Sequence, residues 1–237
     1  RECGLTAGNK VKLAANENPR GPSPAVRAAL ATATEEVCRY PDGDAFELKA
    51  ALSARLRVSP FQLVVGNGSN DILELVTQAF LRPGDHSVYS QHAFVVYPLA
   101  TQARGATGIE VPARDYGHDL AAMRAAITPQ TRIVFVANPN NPTGTWLEPA
   151  ALERYLASVP PHVVVVLDEA YWHYQDPATR PDARAWLEKF PNLVVARTFS
   201  KIYGMASLRV GYALSHAGLA DMLNRVRQPF NNNSFAL

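Results

Sequence analysis

Val163-Val164-Val165-Val166-Leu167-Asp168-Glu169-Ala170-Tyr171 joins a β-branched run without polar alternation to a pair of acids. A run of that kind reads as a strand buried on both faces, the mark of a largely parallel sheet with helices above and below it. Arg132 to Ala137 and Leu193 to Ala196 have the same character, and a helix is expected from Ala150 to Val159. Working outward, strand-like Leu63 to Val65 and Ser87 to Tyr89 alternate with helix-like Ile72 to Phe80 and Leu120 to Ile127. The alternation predicts an α/β fold with a mostly parallel sheet flanked by helices. We place it as one domain over residues 31–237. Residues 1–30 read as an N-terminal arm, because Lys12 to Pro24 carries three prolines and a glycine, with a short helix expected from Pro24 to about Thr34.

Composition narrows the function classes. The chain has 237 residues, 47% hydrophobic and 19% charged, so it can bury a sizeable core. A formal net charge of +2, with the basic residues scattered, is a poor footprint for nucleic acid or an anionic membrane. Cys3 and Cys38 make no disulfide framework, the histidines lack zinc-ligand spacing, and a reducing cytoplasm fits best. No apolar run approaches the roughly 20 residues that span a bilayer, and no signal peptide is recognisable. The chain starts at Arg1 without an initiator Met and stops at Leu237 without a cap or polar tail, as expected of a fragment.

In an open α/β sheet, ligands sit beyond the carboxyl ends of the strands. Beyond Val65 lies Gly66-Asn67-Gly68-Ser69-Asn70-Asp71, which reads either as an anion cup at a helix start or as an ordinary capped turn. Beyond Ala137, the turn Asn138-Pro139-Asn140-Asn141-Pro142-Thr143-Gly144 holds the Asn141 amide rigidly, whereas Asn138 and Asn140 read as turn formers. Asp168 ends a central strand. Buried there it needs a cationic partner, the other reading being a helix cap. Beyond Ala196 comes Arg197-Thr198-Phe199-Ser200-Lys201, trailed by a small-residue loop and Arg209. Desolvation in that setting makes a lysine amine a usable nucleophile and proton carrier.

In register, Gly-Ser-Asn-Asp, Asn-Asn-Pro-Thr-Gly, Asp-Glu-Ala-Tyr and Ser-Lys with the downstream Arg resemble the fold-type I pyridoxal-phosphate aminotransferases, most closely the histidinol-phosphate aminotransferase family. Ala15-Asn16-Glu17-Asn18-Pro19, Arg39-Tyr40-Pro41-Asp42 and Gly84-Asp85 extend the resemblance along essentially the whole chain. The resemblance implies pyridoxal 5'-phosphate as cofactor and Lys201 as the lysine that bonds to it and moves the substrate proton. It implies Asp168 as partner of the pyridine nitrogen, where a carboxylate about 4 Å away is worth roughly 4 kcal/mol at an effective dielectric of 20. Asn141 and Tyr171 match the groups on the ring's phenolic oxygen. Phe94 matches the stacked aromatic, although Gln91-His92-Ala93 departs from the usual Pro-Thr before it. Ser69, Asn70, Thr198, Ser200 and Arg209 match the phosphate cup. Tyr40 matches a tyrosine that reaches the neighbouring subunit's cofactor, which implies a homodimer.

The implied reaction is amino transfer from histidinol phosphate to 2-oxoglutarate in histidine biosynthesis. Relatives with the same motifs act on aromatic amino acids, and a related lyase decarboxylates a phosphothreonine. A non-catalytic domain that keeps the fold is a further reading, opposed by the intact Lys201, Asp168 and Arg209; the remaining one is a doubly wound protein with a nucleotide or no ligand. Family members continue into a small domain that carries the arginine for the substrate carboxylate. This chain is expected to lack it.

Overall fold

The computed structural model describes residues 13–237, so Cys3 and the first twelve residues of the expected arm lie outside it. Seven strands form one sheet: β1 (Leu63–Gly66), β2 (His86–Ser90), β3 (Thr107–Val111), β4 (Thr131–Ala137), β5 (Val164–Asp168), β6 (Leu193–Thr198) and β7 (Gly211–Ser215), in the order β1-β7-β6-β5-β4-β2-β3. The pairings β6-β5, β5-β4, β4-β2 and β2-β3 are parallel, and β7 runs antiparallel to both β6 and β1. The sheet is therefore mostly parallel, as the sequence predicts, with one reversed strand that the sequence did not reveal.

Why the strands carry no polar alternation is visible in β5. Val164 and Val166 face one apolar layer, while Val165 and Leu167 face the other. The first layer is covered by α3 (Ser69–Phe80), α4 (Val96–Gln102) and α7 (Ala217–Val226), which contribute Ile72, Leu73, Val76, Tyr97 and Leu223. The second is covered by α2 (Phe46–Leu56), α5 (Leu120–Ala125) and α6 (Pro149–Ser158), which contribute Leu52, Met123, Leu152 and Leu156. With water excluded from both faces, alternation has nothing to select.

The remaining helix, α1 (Pro24–Ala33), has Ser23 as N-cap and buries no residue, and it runs across the boundary expected at residue 31. The arm before it is tied down: Asn18 Nδ2 donates to the Ile202 carbonyl at 2.8 Å, and Gly204 packs so closely on Gly21 that a Cβ there would overlap its backbone. No described helix is long and apolar enough to cross a membrane.

Candidate active site

The carboxyl ends of β1, β4, β5 and β6 converge on one small cavity of about 80 Å³, lined by Ser69, Phe94, Tyr97, Asn141, Asp168 and Lys201 among others. Asp168 is the last residue of β5 and is buried. Its Oδ2 accepts the Tyr97 hydroxyl at 2.9 Å, and its Oδ1 accepts the Ala170 N–H at 3.1 Å. Among the described residues no cation lies within ion-pair distance of it, so the phenol stands where the sequence called for a cation. Nor does Asp168 cap an α-helix, since the segment after it is a loop leading to a short 3-10 turn, Trp172–Tyr174.

Burial pushes the Asp168 carboxyl up from its ordinary range, opposed by the Tyr97 and Ala170 hydrogen bonds and by the charge of Lys201. Burial likewise pushes the Tyr97 phenol well up, reinforced by the Asp168 charge. Tyr97 is clamped by stacking on Phe135, with ring centroids 4.6 Å apart, and by an edge contact with Phe94. A buried carboxylate aimed into a cavity with only neutral donors touching it is suited to a protonated ring nitrogen or an ammonium.

Lys201 follows β6 on a short turn and is half-buried. Its Nζ lies 3.4 Å and 3.3 Å from the Ala15 and Asn16 carbonyls and 5.4 Å from the centre of the Tyr171 ring. Asn16 Nδ2 donates to the Tyr171 hydroxyl at 2.9 Å and to Asn141 Oδ1 at 3.4 Å, so the arm joins three of the expected site residues. Asn138 and Asn140 are turn builders: Asn138 Oδ1 accepts the Leu147 N–H at 2.8 Å, and Asn140 Nδ2 donates to the His92 carbonyl and the Thr143 hydroxyl.

Beside this cavity a second one, of about 580 Å³, takes in Ser69, Asn70, Thr198, Ser200, Lys201 and Arg209. Ser69 opens α3, whose first N–H groups have no intrahelical acceptor. Gly68, at φ +84°, packs against Arg209 so tightly that a Cβ would overlap the guanidinium, and a Cβ on Gly211 would come within 2.5 Å of the Ser69 nitrogen. The two loops can approach that closely because both positions are glycine. The Arg209 guanidinium bonds to the Ala206 and Asn67 carbonyls and the Ser200 hydroxyl, and among the described residues no carboxylate pairs with it. A helix start, three hydroxyls and an uncompensated guanidinium make an anion cup.

The profile of the family described as Aminotransferase class I and II matches residues 8–236. The chain belongs to the class I and II aminotransferases. This aminotransferase-family chain is 58% identical over its whole length to histidinol-phosphate aminotransferase 2 of Nitrosospira multiformis, of which it covers 60%. It is 60% identical to histidinol-phosphate aminotransferase 2 of Pseudomonas aeruginosa, of which it covers 64%. It thus spans about three fifths of the length of these relatives. Among solved structures, that of histidinol-phosphate aminotransferase from Sinorhizobium meliloti in complex with pyridoxal-5'-phosphate superposes with a TM-score of 0.90 at 30% identity, over 94% of this chain and 60% of that one. Aspartate aminotransferase from Thermus thermophilus with maleate gives 0.83 at 25% identity, over 94% of this chain and 61% of that one.

Ten of the eleven residues expected from sequence line the two cavities, and Tyr40 lines neither. Tyr40 is 83% exposed, and its ring stacks on Phe230 with centroids 4.9 Å apart. Two residues with contacts in the site escaped the sequence reading as individuals. Tyr97 sits in an apolar helix where a phenol reads as core, and Asn16 gains its role only by meeting residues 125 and 155 positions away.

Proposed function

We propose that this chain is the cofactor-binding part of a pyridoxal-phosphate-dependent histidinol-phosphate aminotransferase, with residues 1–30 as arm and 31–237 as large domain. The observation that carries the reading is the buried Asp168 carboxylate, held by Tyr97 and Ala170 with no ion-pair partner among the described residues, in the same small cavity as the Lys201 amine.

The residues fit the cofactor group by group. Asp168 would hold a proton on the pyridine nitrogen. Asn141 and Tyr171 would bond the phenolic oxygen, Phe94 would cover the ring, and Ser69, Asn70, Thr198, Ser200 and Arg209 would take the phosphate. Pyridoxal phosphate, when bound, supplies an electron sink for the charge left at the substrate's Cα. Lys201 would hold the cofactor and, once its amine is free, would take the proton from the substrate's Cα and carry it. Asn16 would steady both Tyr171 and Asn141 and so position them without touching the reacting atoms. The family resemblance supplies the donor, histidinol phosphate, and the acceptor, 2-oxoglutarate. Exposed Val37, Tyr40, Phe46 and Phe61 support a homodimer in which Tyr40 reaches the partner's cofactor phosphate, and an exposed, free Cys38 supports a cytoplasmic setting.

The test is an absorption spectrum of the chain with pyridoxal phosphate, before and after borohydride, in the parent and in Lys201→Ala. The expected outcome is a visible band that reduction converts to a stable mass addition on Lys201. A folded parent with no Lys201-dependent band would overturn the cofactor assignment. Bleaching of the band by phenylalanine but not by histidinol phosphate would overturn the donor.

A further inference from the structure

On the opposite side of the β5 and β6 ends lies a third cavity, of about 400 Å³, that shares no residue with the two above. Its size is that of a small-molecule site. Four arginines line it: Arg55, Arg180, Arg184 and Arg197. Arg184 is neutralised by a bidentate pair with Asp182. Arg197 is buried, with Nε donating to Glu169 Oε2 at 2.7 Å. Its Nη2 lies equally near that oxygen, so the Arg197 charge is taken up by Glu169.

Arg55 and Arg180 have no carboxylate within ion-pair distance among the described residues, and the Arg180 guanidinium is held 3.6 Å from the centre of the Trp172 ring. Two uncompensated charges thus face the cavity. The remaining wall is apolar, from Leu52, Leu56 and a set of aromatic rings in which Phe199 lies tilted against both Tyr203 and Tyr212. His173, in the same wall, is pulled down to about 4 by burial and by the charges of Arg197, Arg180 and Arg55. The cavity therefore opposes any added positive charge.

We propose that this cavity binds a phosphate monoester dianion, held by Arg55 and Arg180, with a planar organic group against Phe199 and Tyr212. Guanidinium forks match phosphate oxygens geometrically, and two unpaired forks match a dianion in charge. The site is independent of the cofactor assignment, since none of its residues belongs to that machinery.

The test is a titration of the 237-residue chain with phenyl phosphate and with inorganic phosphate, followed by the His173 ring resonances, which His173→Gln assigns. The expected result is saturable binding that moves the His173 signals, is tighter for phenyl phosphate, and weakens at least tenfold in Arg55→Ala and in Arg180→Gln. Arg209→Ala is expected to leave it unchanged. Arg55 is exposed, so its variant keeps the test open should Arg180→Gln disturb the fold. Binding lost in Arg209→Ala but kept in both other variants would overturn the proposal and place the anion in the cup beside Lys201. So would His173 signals that stay still at saturating phosphate.

Discussion

Asp168 and Glu169 are chain neighbours, both buried, both pushed up by burial, and they serve opposite faces of the sheet end. Glu169 has a full counter-charge in Arg197, whose guanidinium also lies 4.1 Å from the centre of the Trp172 ring. Asp168 has a phenol and an amide. A carboxylate whose only task is structural can be neutralised within the fold. One left with weaker, neutral donors can still be shared with a ligand, and that is the difference between the two acids.

The comparison breaks most readily at Arg197. Arg197→Met strands the Glu169 charge in the interior, and losing one partner of a buried pair costs about 3–5 kcal/mol. The urea midpoint should fall steeply, and adding Glu169→Gln should recover part of the loss. An unchanged midpoint in the single variant would show that Glu169 takes up a proton instead, which makes the pair dispensable. Tyr97→Phe should cost less, about 1.5–3 kcal/mol, the range for a hydrogen bond to a charged group. It should also weaken pyridoxal phosphate binding in a spectroscopic titration, because Asp168 loses the donor that orients it.

The smallest effect discriminates most sharply. Since the native carboxyl of Asp168 is raised, ionisation subtracts from stability: the contribution is whole below the ordinary carboxylate range and is lost as pH rises through the raised native value. Asp168→Asn cannot ionise. Its melting temperature relative to the parent without cofactor should therefore move in its favour from about pH 4 to pH 8, by a few degrees at most. A difference that does not vary with pH would mean that the Tyr97 and Ala170 hydrogen bonds offset the burial of Asp168 in full.

Most of the site was legible in the sequence because the strands that carry it announce themselves. β4, β5 and β6 are β-branched runs, and topology alone places the residues after each run at the ligand end of the sheet. β7 carried no such signal. Gly211-Tyr212-Ala213-Leu214-Ser215 has no β-branched residue, and tertiary burial between β1 and β6 decides its state. α2 was equally silent, since Phe46 points to solvent and its start at Ala45 takes a left-handed φ of 51°, with the Phe46 N–H capped from four residues back by Asp42. The anchoring roles of Glu169 and Arg197 were hidden for another reason. Strand periodicity assigns a side to each residue but does not say which charges on that side meet.

The contact between the Lys201 amine and the Asn16 carbonyl spans 185 positions of sequence. During synthesis at about 5–20 residues per second, roughly ten seconds or more separate the appearance of the two groups. Asn16 waits for its counterpart through the making of the entire sheet except β7, which emerges after the lysine. The arm can therefore be pinned to the lysine only after six of the seven strands have been made, which sets its docking late in synthesis.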